Sequence, residues 1–336
     1  MVSPEKRGGS PTEGMGGPSG ARREVRWESA VPTWGDKTYP VRPSDQEVRI
    51  YSEHFRQLGH RKEHAGGEGV VVLLGSTPEL RSALASLNNE HLRVLAAERY
   101  EKSFDAMTKL MASELARRER ESGKFQLVLT KWQELPLKKE SADLVVGDLV
   151  LNIVFKDEKG IDTTSQEHIQ EQRLVLDGIK KSLKDGGKAI LRTWVVPPEM
   201  RQSDTYRDID DVFYEWEKFK AARNLQLDLN DPKYRKEVFG FFANRLIRHY
   251  QDDSGKFVCR DMADRIERGM DRDGRQVEFP DGVNEVMSWQ WKDYTIPNWV
   301  LPQEDQENIM RERFKIERLT TADDLSDMNP MYVLSK

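Results

Sequence analysis

Apolar positions along the first two hundred residues switch between a strand period and a helix period. Val70-Val71-Val72-Leu73-Leu74 is an unbroken apolar run of β-branched character ending at Gly75. Such a run predicts a central parallel strand buried on both faces. Thr77 is placed as an N-cap and Pro78 as the first helical residue, and Leu80, Leu84 and Leu87 recur at helical spacing. A second strand is predicted over His91–Ala97, ending at the acidic Glu98. One helix follows, with Phe104, Met107, Met111 and Leu115 on a face. Strands over 125–130 and 142–146 come next, the latter running into Gly147-Asp148. Ile169, Leu176, Ile179 and Leu183 mark a helix stopped by Asp185-Gly186-Gly187, and Lys188–Trp194 gives a fifth strand. Upstream, Ser44 and Glu47 are spaced as a capping box for a helix reaching about Leu58, with a polar, Gly-rich loop from Gly59 to Gly69. Alternating strands and helices predict an α/β fold, doubly wound around a parallel sheet.

The alternation stops near residue 200. Val212, Trp216 and Phe219 share one helical face, and Phe239, Phe242, Leu246 and Tyr250 share another. Short strands return at Phe314–Ile316 and Met331–Leu334. The expected division is a disordered tail over 1–24, in which twelve of the first twenty residues are Gly, Pro or Ser. An N-terminal helical segment follows over 25–65. The sheet domain comprises 66–199 and 311–336, interrupted by a mainly helical cap over 200–310.

Composition narrows the class of partner. Fifty-three basic against 58 acidic residues leave a formal charge of −5, so no overall basic field gathers nucleic acid or anionic membrane. No apolar run approaches the ~18 residues of a membrane helix. The lone Cys259 excludes a disulfide framework and a multi-cysteine zinc site, and fits a reducing, cytoplasmic setting. A small-molecule partner is therefore expected, rather than nucleic acid or a membrane.

The chemistry concentrates at strand ends. A strand ending in Gly75, followed by a turn and a helix start, aims backbone N–H groups out of the sheet's carboxyl edge. Glu98 ends the second strand 23 residues after Gly75, where a carboxylate can accept from both ribose hydroxyls of an adenosine cofactor. A single glycine, where a dinucleotide fold wants three, argues against a pyrophosphate crossing the turn.

Val72-Leu73-Leu74-Gly75-Ser76-Thr77-Pro78-Glu79-Leu80 resembles the first motif of class I S-adenosylmethionine-dependent methyltransferases of the Leu-Gly-x-Thr-Pro-Glu subgroup. Trp132-Gln133-Glu134-Leu135-Pro136, the stretch Asp143 to Asn152, and Leu183-Lys184-Asp185-Gly186-Gly187 resemble later motifs of that family, in order. The resemblance covers roughly 30–196 and 311–336. It implies a Rossmann-like, mostly parallel seven-stranded sheet with an antiparallel C-terminal strand, and S-adenosyl-L-methionine as cofactor. By the same resemblance Gly75 and Thr77, with Pro78, line the methionine end and Glu98 holds the ribose. Arg99, Trp132 and Gln133 border the adenine, and Asp148, Leu149 and Asn152 lie near the sulfonium. Methyl transfer is the implied activity; the negative charge points to a small-molecule acceptor, and the aromatics of 200–300 to an aromatic one. A catalytically silent relative that binds or regulates a partner, and a protein or RNA methyltransferase, are the alternatives.

Other features are weighed against simpler readings. His168 and His249 are the candidate general bases, against a plain hydrogen-bonded or surface role. His60-Arg61-Lys62-Glu63-His64 matches a zinc-protease pattern. Its flanking glycines and polarity predict a solvated loop, however, and no metal is expected. Asn329-Pro330-Met331-Tyr332 resembles an amino-methylation signature but stands far from the fourth strand, so it does not point to DNA adenine. Sixteen of the 29 aromatics fall in 200–300. They either wall a planar-substrate pocket or form the cap's own core or a homodimer contact.

Overall fold

The computed structural model describes Trp34, Thr321 and residues 41–155, 164–198, 208–226, 228–252, 255–291, 297–319 and 327–336. The expected tail and most of residues 25–40 lie outside these, as do short stretches of the expected cap. The chain forms α1 (Asp45–Ala65), β1 (Gly69–Leu74), α2 (Pro78–Leu87), β2 (Leu92–Glu98), α3 (Glu101–Thr108), α4 (Ser113–Glu121) and β3 (Phe125–Leu129). It continues with β4 (Ala142–Asp148), α5 (Ser165–Ser182), β5 (Leu183–Arg192), β6 (Val195–Val196), α6 (Ile209–Arg223), α7 (Pro232–Tyr250), β7 (Lys256–Val258) and α8 (Cys259–Glu267). The remaining elements are α9 (Val283–Trp291), β8 (Pro297–Trp299), β9 (Leu301–Pro302), α10 (Gln303–Arg311), β10 (Lys315–Leu319) and β11 (Met331–Ser335).

Seven strands make one sheet in the order β10-β11-β5-β4-β1-β2-β3. Every neighbouring pair from β3 to β5 is parallel, and β11 runs antiparallel to both β5 and β10. This is the expected Rossmann-like, mostly parallel seven-stranded sheet with an antiparallel C-terminal strand. Successive residues of β1 face opposite sides, as strand geometry requires. Val71 and Leu73 join Tyr51, Phe55 and Leu58 of α1 and Leu80 and Leu84 of α2. Val72 and Leu74 join Val175, Leu176 and Ile179 of α5 and Met310 of α10. The chain leaves β1 outward to β2 and β3, then returns to β4 on the other side of β1. That reversal opens a crevice at the carboxyl ends of β1 and β4.

Three local expectations are corrected. The capping box forms: Glu47 N donates to Ser44 Oγ at 3.2 Å and Ser44 N to Glu47 Oε2 at 2.8 Å. The helix then runs through Gly59 to Ala65, where a loop was expected, and ends on Gly66 in the left-handed conformation. Gly59 is a close-approach glycine: a Cβ there would sit 2.3 Å from Asn89 Nδ2. The single helix expected across Phe104–Leu115 is two, α3 and α4. Both are fastened to α2 by the buried Arg81, which donates to Glu119 Oε2 at 3.0 Å and Thr108 Oγ1 at 2.7 Å. Its guanidinium also lies 3.7 Å from the Phe104 ring centre. Finally, β5 begins at Leu183 rather than Lys188. Asp185-Gly186-Gly187 falls at an irregularity in its pairing with β4, so it does not separate helix from strand.

The cap helices α6 to α9 close around their own core of Trp216, Phe239, Phe241, Phe242 and Trp291. Ring pairs such as Trp216–Phe242, 5.0 Å apart, fill it. The expected cap boundary at 310 falls inside α10, whose Ile309 and Met310 belong to the sheet's core. No helix among the described residues is long and apolar enough to cross a membrane.

Candidate functional site

The switch-point crevice collects side chains from every strand end around it. Leu74 ends β1 and Gly75, Ser76 and Thr77 follow it, Glu98 ends β2, Trp132 follows β3, and Asp148 ends β4 with Leu149 next. Trp34, Val41, Met107 and Ile153 complete the lining.

Gly75 has φ +94°, a backbone conformation that L side chains rarely adopt. Its N–H donates to Ala97 O at 2.9 Å, and Trp132 Nε1 donates to the same carbonyl at 2.8 Å. One backbone oxygen therefore ties the turn to the indole wall, and a Cβ on Gly75 would touch Trp132 at 3.4 Å. Gly75→Ala is expected to cost roughly 1–3 kcal/mol in strain, read as a lower denaturation midpoint in urea. An unchanged midpoint would show that the turn relaxes freely.

Glu98 is 3% exposed. Its Oε2 accepts from Ser76 Oγ and its Oε1 from the Arg99 N–H, both at 2.8 Å. Burial raises its pKa, and these donors counter the rise. The Tyr100 backbone also hydrogen-bonds this carboxylate, so of its about four acceptor positions about one is left. Ser76 escaped the sequence reading because a serine in a turn carries no distinguishing pattern.

Thr77 occupies the N-cap position of α2, but its side chain makes no cap bond. This corrects the expected cap and leaves the hydroxyl at the crevice. Leu149 is a non-glycine at φ +54°, a conformation costing about 1–2 kcal/mol. Its amide donates to Arg192 O at 3.0 Å. Asp148 Oδ1 accepts from the fully buried Arg192 Nε at 2.5 Å, and Arg192 Nη1 lies 3.5 Å from Glu47 Oε2. Tyr51 on α1 donates to Gly147 O at 2.9 Å. The start of α1 is thereby bolted beneath the crevice.

Six sequence-selected residues do not line the crevice; Pro78, one of them, is the buried first residue of α2. Asn152 is a clamp: its Nδ2 donates to Trp194 O and Trp299 O at 2.9 and 2.6 Å, and its Oδ1 accepts from Thr193 Oγ1 and Trp194 N. All four hydrogen-bonding positions of the amide are used in joining β4, β5 and the cap. Gln133 Nε2 donates to Phe155 O and Glu171 Oε2, both at 2.8 Å. Arg99 contributes its amide to Glu98, and its guanidinium lies over Tyr100.

His168 is fully buried, with Nδ1 3.0 Å from Val154 O, Nε2 2.9 Å from Gln172 Nε2, and its ring stacked 5.0 Å from Trp299. Burial lowers its pKa to about 3. His249, also buried, accepts from the Arg272 N–H at 3.2 Å and packs edge-on against Tyr250. Both imidazoles hold the fold together rather than face the crevice.

The His168 shift has a stability consequence. The unfolded chain takes up a proton near the ordinary pKa, whereas the folded chain takes it up only near 3. Stability should fall as pH drops below about 6.5, with a slope approaching 1.4 kcal/mol per pH unit. Urea unfolding of the protein and of His168→Gln between pH 7 and 5 checks this, because the variant should lose that part of the slope.

The acceptor, the turn amides and the indole suit an adenosine cofactor chemically. The enclosed space is only about 30 Å³, against several hundred for a cofactor site, so the crevice would have to widen to admit one. Trp34 Nε1 lies 3.4 Å from Glu79 Oε1, and Arg42 Nε donates to the same oxygen at 2.6 Å. Trp34, Val41, Met107 and Leu149 also belong to the apolar cluster of the cap.

No family model and no curated protein matches the chain. Among solved structures it is similar to a Rhodobacter sphaeroides protein described as a Zn-dependent alcohol dehydrogenase, at 13% identity and TM-score 0.48, covering 93% of this chain and 99% of that one. A Nostoc punctiforme protein described as an O-methyltransferase shares 10% identity at TM-score 0.42, covering 92% and 60%. A SAM-dependent methyltransferase from Methanosarcina mazei shares 11% at TM-score 0.37, covering 80% and 91%. At these identities and TM-scores the likenesses assign no activity to this chain.

Proposed function

We propose that the chain transfers a methyl group from S-adenosyl-L-methionine to a small-molecule acceptor with an apolar, planar face. The observation that carries this reading is the meeting, at the β1/β4 switch point, of the Gly75 turn, the buried Glu98 carboxylate, the Trp132 ring and the Asp148 carboxylate. Bound S-adenosylmethionine supplies an electrophilic methyl group, so the protein's task is alignment and exclusion of water.

In this reading Glu98 accepts from the ribose hydroxyls and Trp132 stacks on adenine. The turn around Gly75, Thr77 and Pro78 receives the methionine end, and Asp148 sets a negative charge near the sulfonium. The apolar side chains of Trp34, Met107, Leu149 and Ile153 face the acceptor. Neither His168 nor His249 takes part as a base.

One observation favours a second reading. The 30 Å³ enclosure also suits a silent protein that keeps the fold and binds a partner elsewhere. Calorimetry with S-adenosylmethionine and S-adenosylhomocysteine separates the two. Binding with cofactor turnover on apolar phenols or amines supports the enzyme, and no heat at millimolar cofactor leaves the silent reading.

A further inference from the structure

The extension of α1 past Leu58 changes the meaning of His60-Arg61-Lys62-Glu63-His64. On a loop these side chains would be scattered. On the helix that the structure contains, positions three and four apart share a face. His60 Nδ1 and His64 Nδ1 are 2.8 Å apart, with ring centres 4.2 Å apart. Ligand atoms of His60, Glu63 and His64 all lie within 4.8 Å of one another, and all three residues are exposed.

We propose that His60, Glu63 and His64 bind a divalent transition ion of the Zn²⁺, Ni²⁺ or Cu²⁺ type at the C-terminal end of α1. Two imidazoles and one carboxylate are the donors that such borderline ions select. The ligand nitrogens must open from 2.8 Å to the ~3.3 Å separation of a tetrahedral zinc with ~2.0–2.1 Å bonds, and His64 Nδ1 must leave His60 O, 2.8 Å away. Exposed side chains make that adjustment without disturbing the core. The helix end adds its own negative potential, which favours a cation.

Three protein ligands leave a coordination position open, and a cavity of about 690 Å³ adjoins it, lined by His54, His60, His64, Asp143 and Lys188. Asp143 is not a ligand. Its oxygens already meet Lys62 Nζ and Lys184 Nζ at 2.6 Å and accept the Val70 N–H at 2.9 Å. Lys62 is likewise held on Asp143. The open position is filled by water or by a small anion entering the cavity. The site sits at the amino end of β4 and β5, away from the crevice at their carboxyl ends, so it stands or falls independently of methyl transfer.

The experiment titrates the full, untagged chain with ZnCl₂ by calorimetry and with CoCl₂ by visible absorption. One equivalent of Zn²⁺ is expected to bind, and Co²⁺ to develop the visible bands of a low-coordinate nitrogen–oxygen site. His60→Ala or His64→Ala should weaken binding at least ~100-fold and Glu63→Gln about 10-fold, given that even outer-shell losses cost 10–100-fold. His91→Ala should leave binding unchanged. Zinc should also raise the thermal midpoint of the parent but not of His64→Ala, and without metal both should unfold at the same temperature. Binding that survives both histidine substitutions, or no uptake by the parent at millimolar zinc, would overturn the proposal.

Discussion

Glu98→Gln is expected to weaken S-adenosylmethionine binding by about 10- to 150-fold, the equivalent of about 1.5–3 kcal/mol for a hydrogen bond to a charged group. The substitution keeps the volume of the side chain, and its remaining oxygen can still accept from Ser76 Oγ, now 2.8 Å from Oε2. What it removes is the anionic acceptor for the ribose hydroxyls. It also places an amide N–H opposite the Arg99 N–H, which donates to Oε1 in the parent. Calorimetry with S-adenosylhomocysteine, alongside an unfolding curve for the variant, separates lost binding from lost fold. A folded variant with parental affinity would sink the ribose assignment. Because burial raises the Glu98 pKa, affinity in the parent should also begin to decline at a higher pH than for an ordinary glutamate. In Glu98→Gln this dependence should vanish.

Arg192→Met should have the largest effect on stability, roughly 3–5 kcal/mol, because it strips the partner from buried acids rather than removing the ion pair as a unit. Arg192 and Glu47 are fully buried, and Asp148 has only 4% of its side chain exposed. Urea denaturation measures the loss, and a cost below about 1 kcal/mol, the range of exposed ion pairs, would show that water reaches the site. The double variant Arg192→Met/Asp148→Asn should recover part of the loss, since one of the uncompensated charges is then gone. Asp148 lines the crevice and loses the Arg192 Nε donor that fixes it, so even the residual folded fraction should present a disturbed crevice floor.

These expectations rest on residues of unequal visibility in the sequence. Val70–Leu74, Ala142–Val146 and the Gly75 turn are legible because burial on both faces of a sheet demands uninterrupted aliphatic runs, and a reversal at a strand end demands a residue free to take positive φ. Glu98 is legible by its distance from that turn. Asn152, Gln133 and His168 sit at positions the family resemblance or local spacing marks, yet their partners, Trp194, Trp299, Glu171, Val154 and Gln172, come from elsewhere. A polar side chain looks the same in sequence whether it meets a ligand or a distant carbonyl.

The aromatics of 200–300 show the same limit. Their abundance is visible, but their use as the cap's own core follows from which helix faces meet.

Local physics thus determined the alternating strands, the capping box at Ser44 and the turn at Gly75, since each depends on neighbours within one turn of helix or one strand. Tertiary structure alone decided the rest. It carried α1 through Gly59, where the missing side chain leaves room for Asn89, and so aligned His60 with His64. It buried Arg192 between Asp148 and Glu47, which are a hundred residues apart, and laid Trp34 and Val41 over the crevice. Contacts between distant segments are chosen by packing and by the need to satisfy buried polar groups, and neither leaves a periodic mark along the chain.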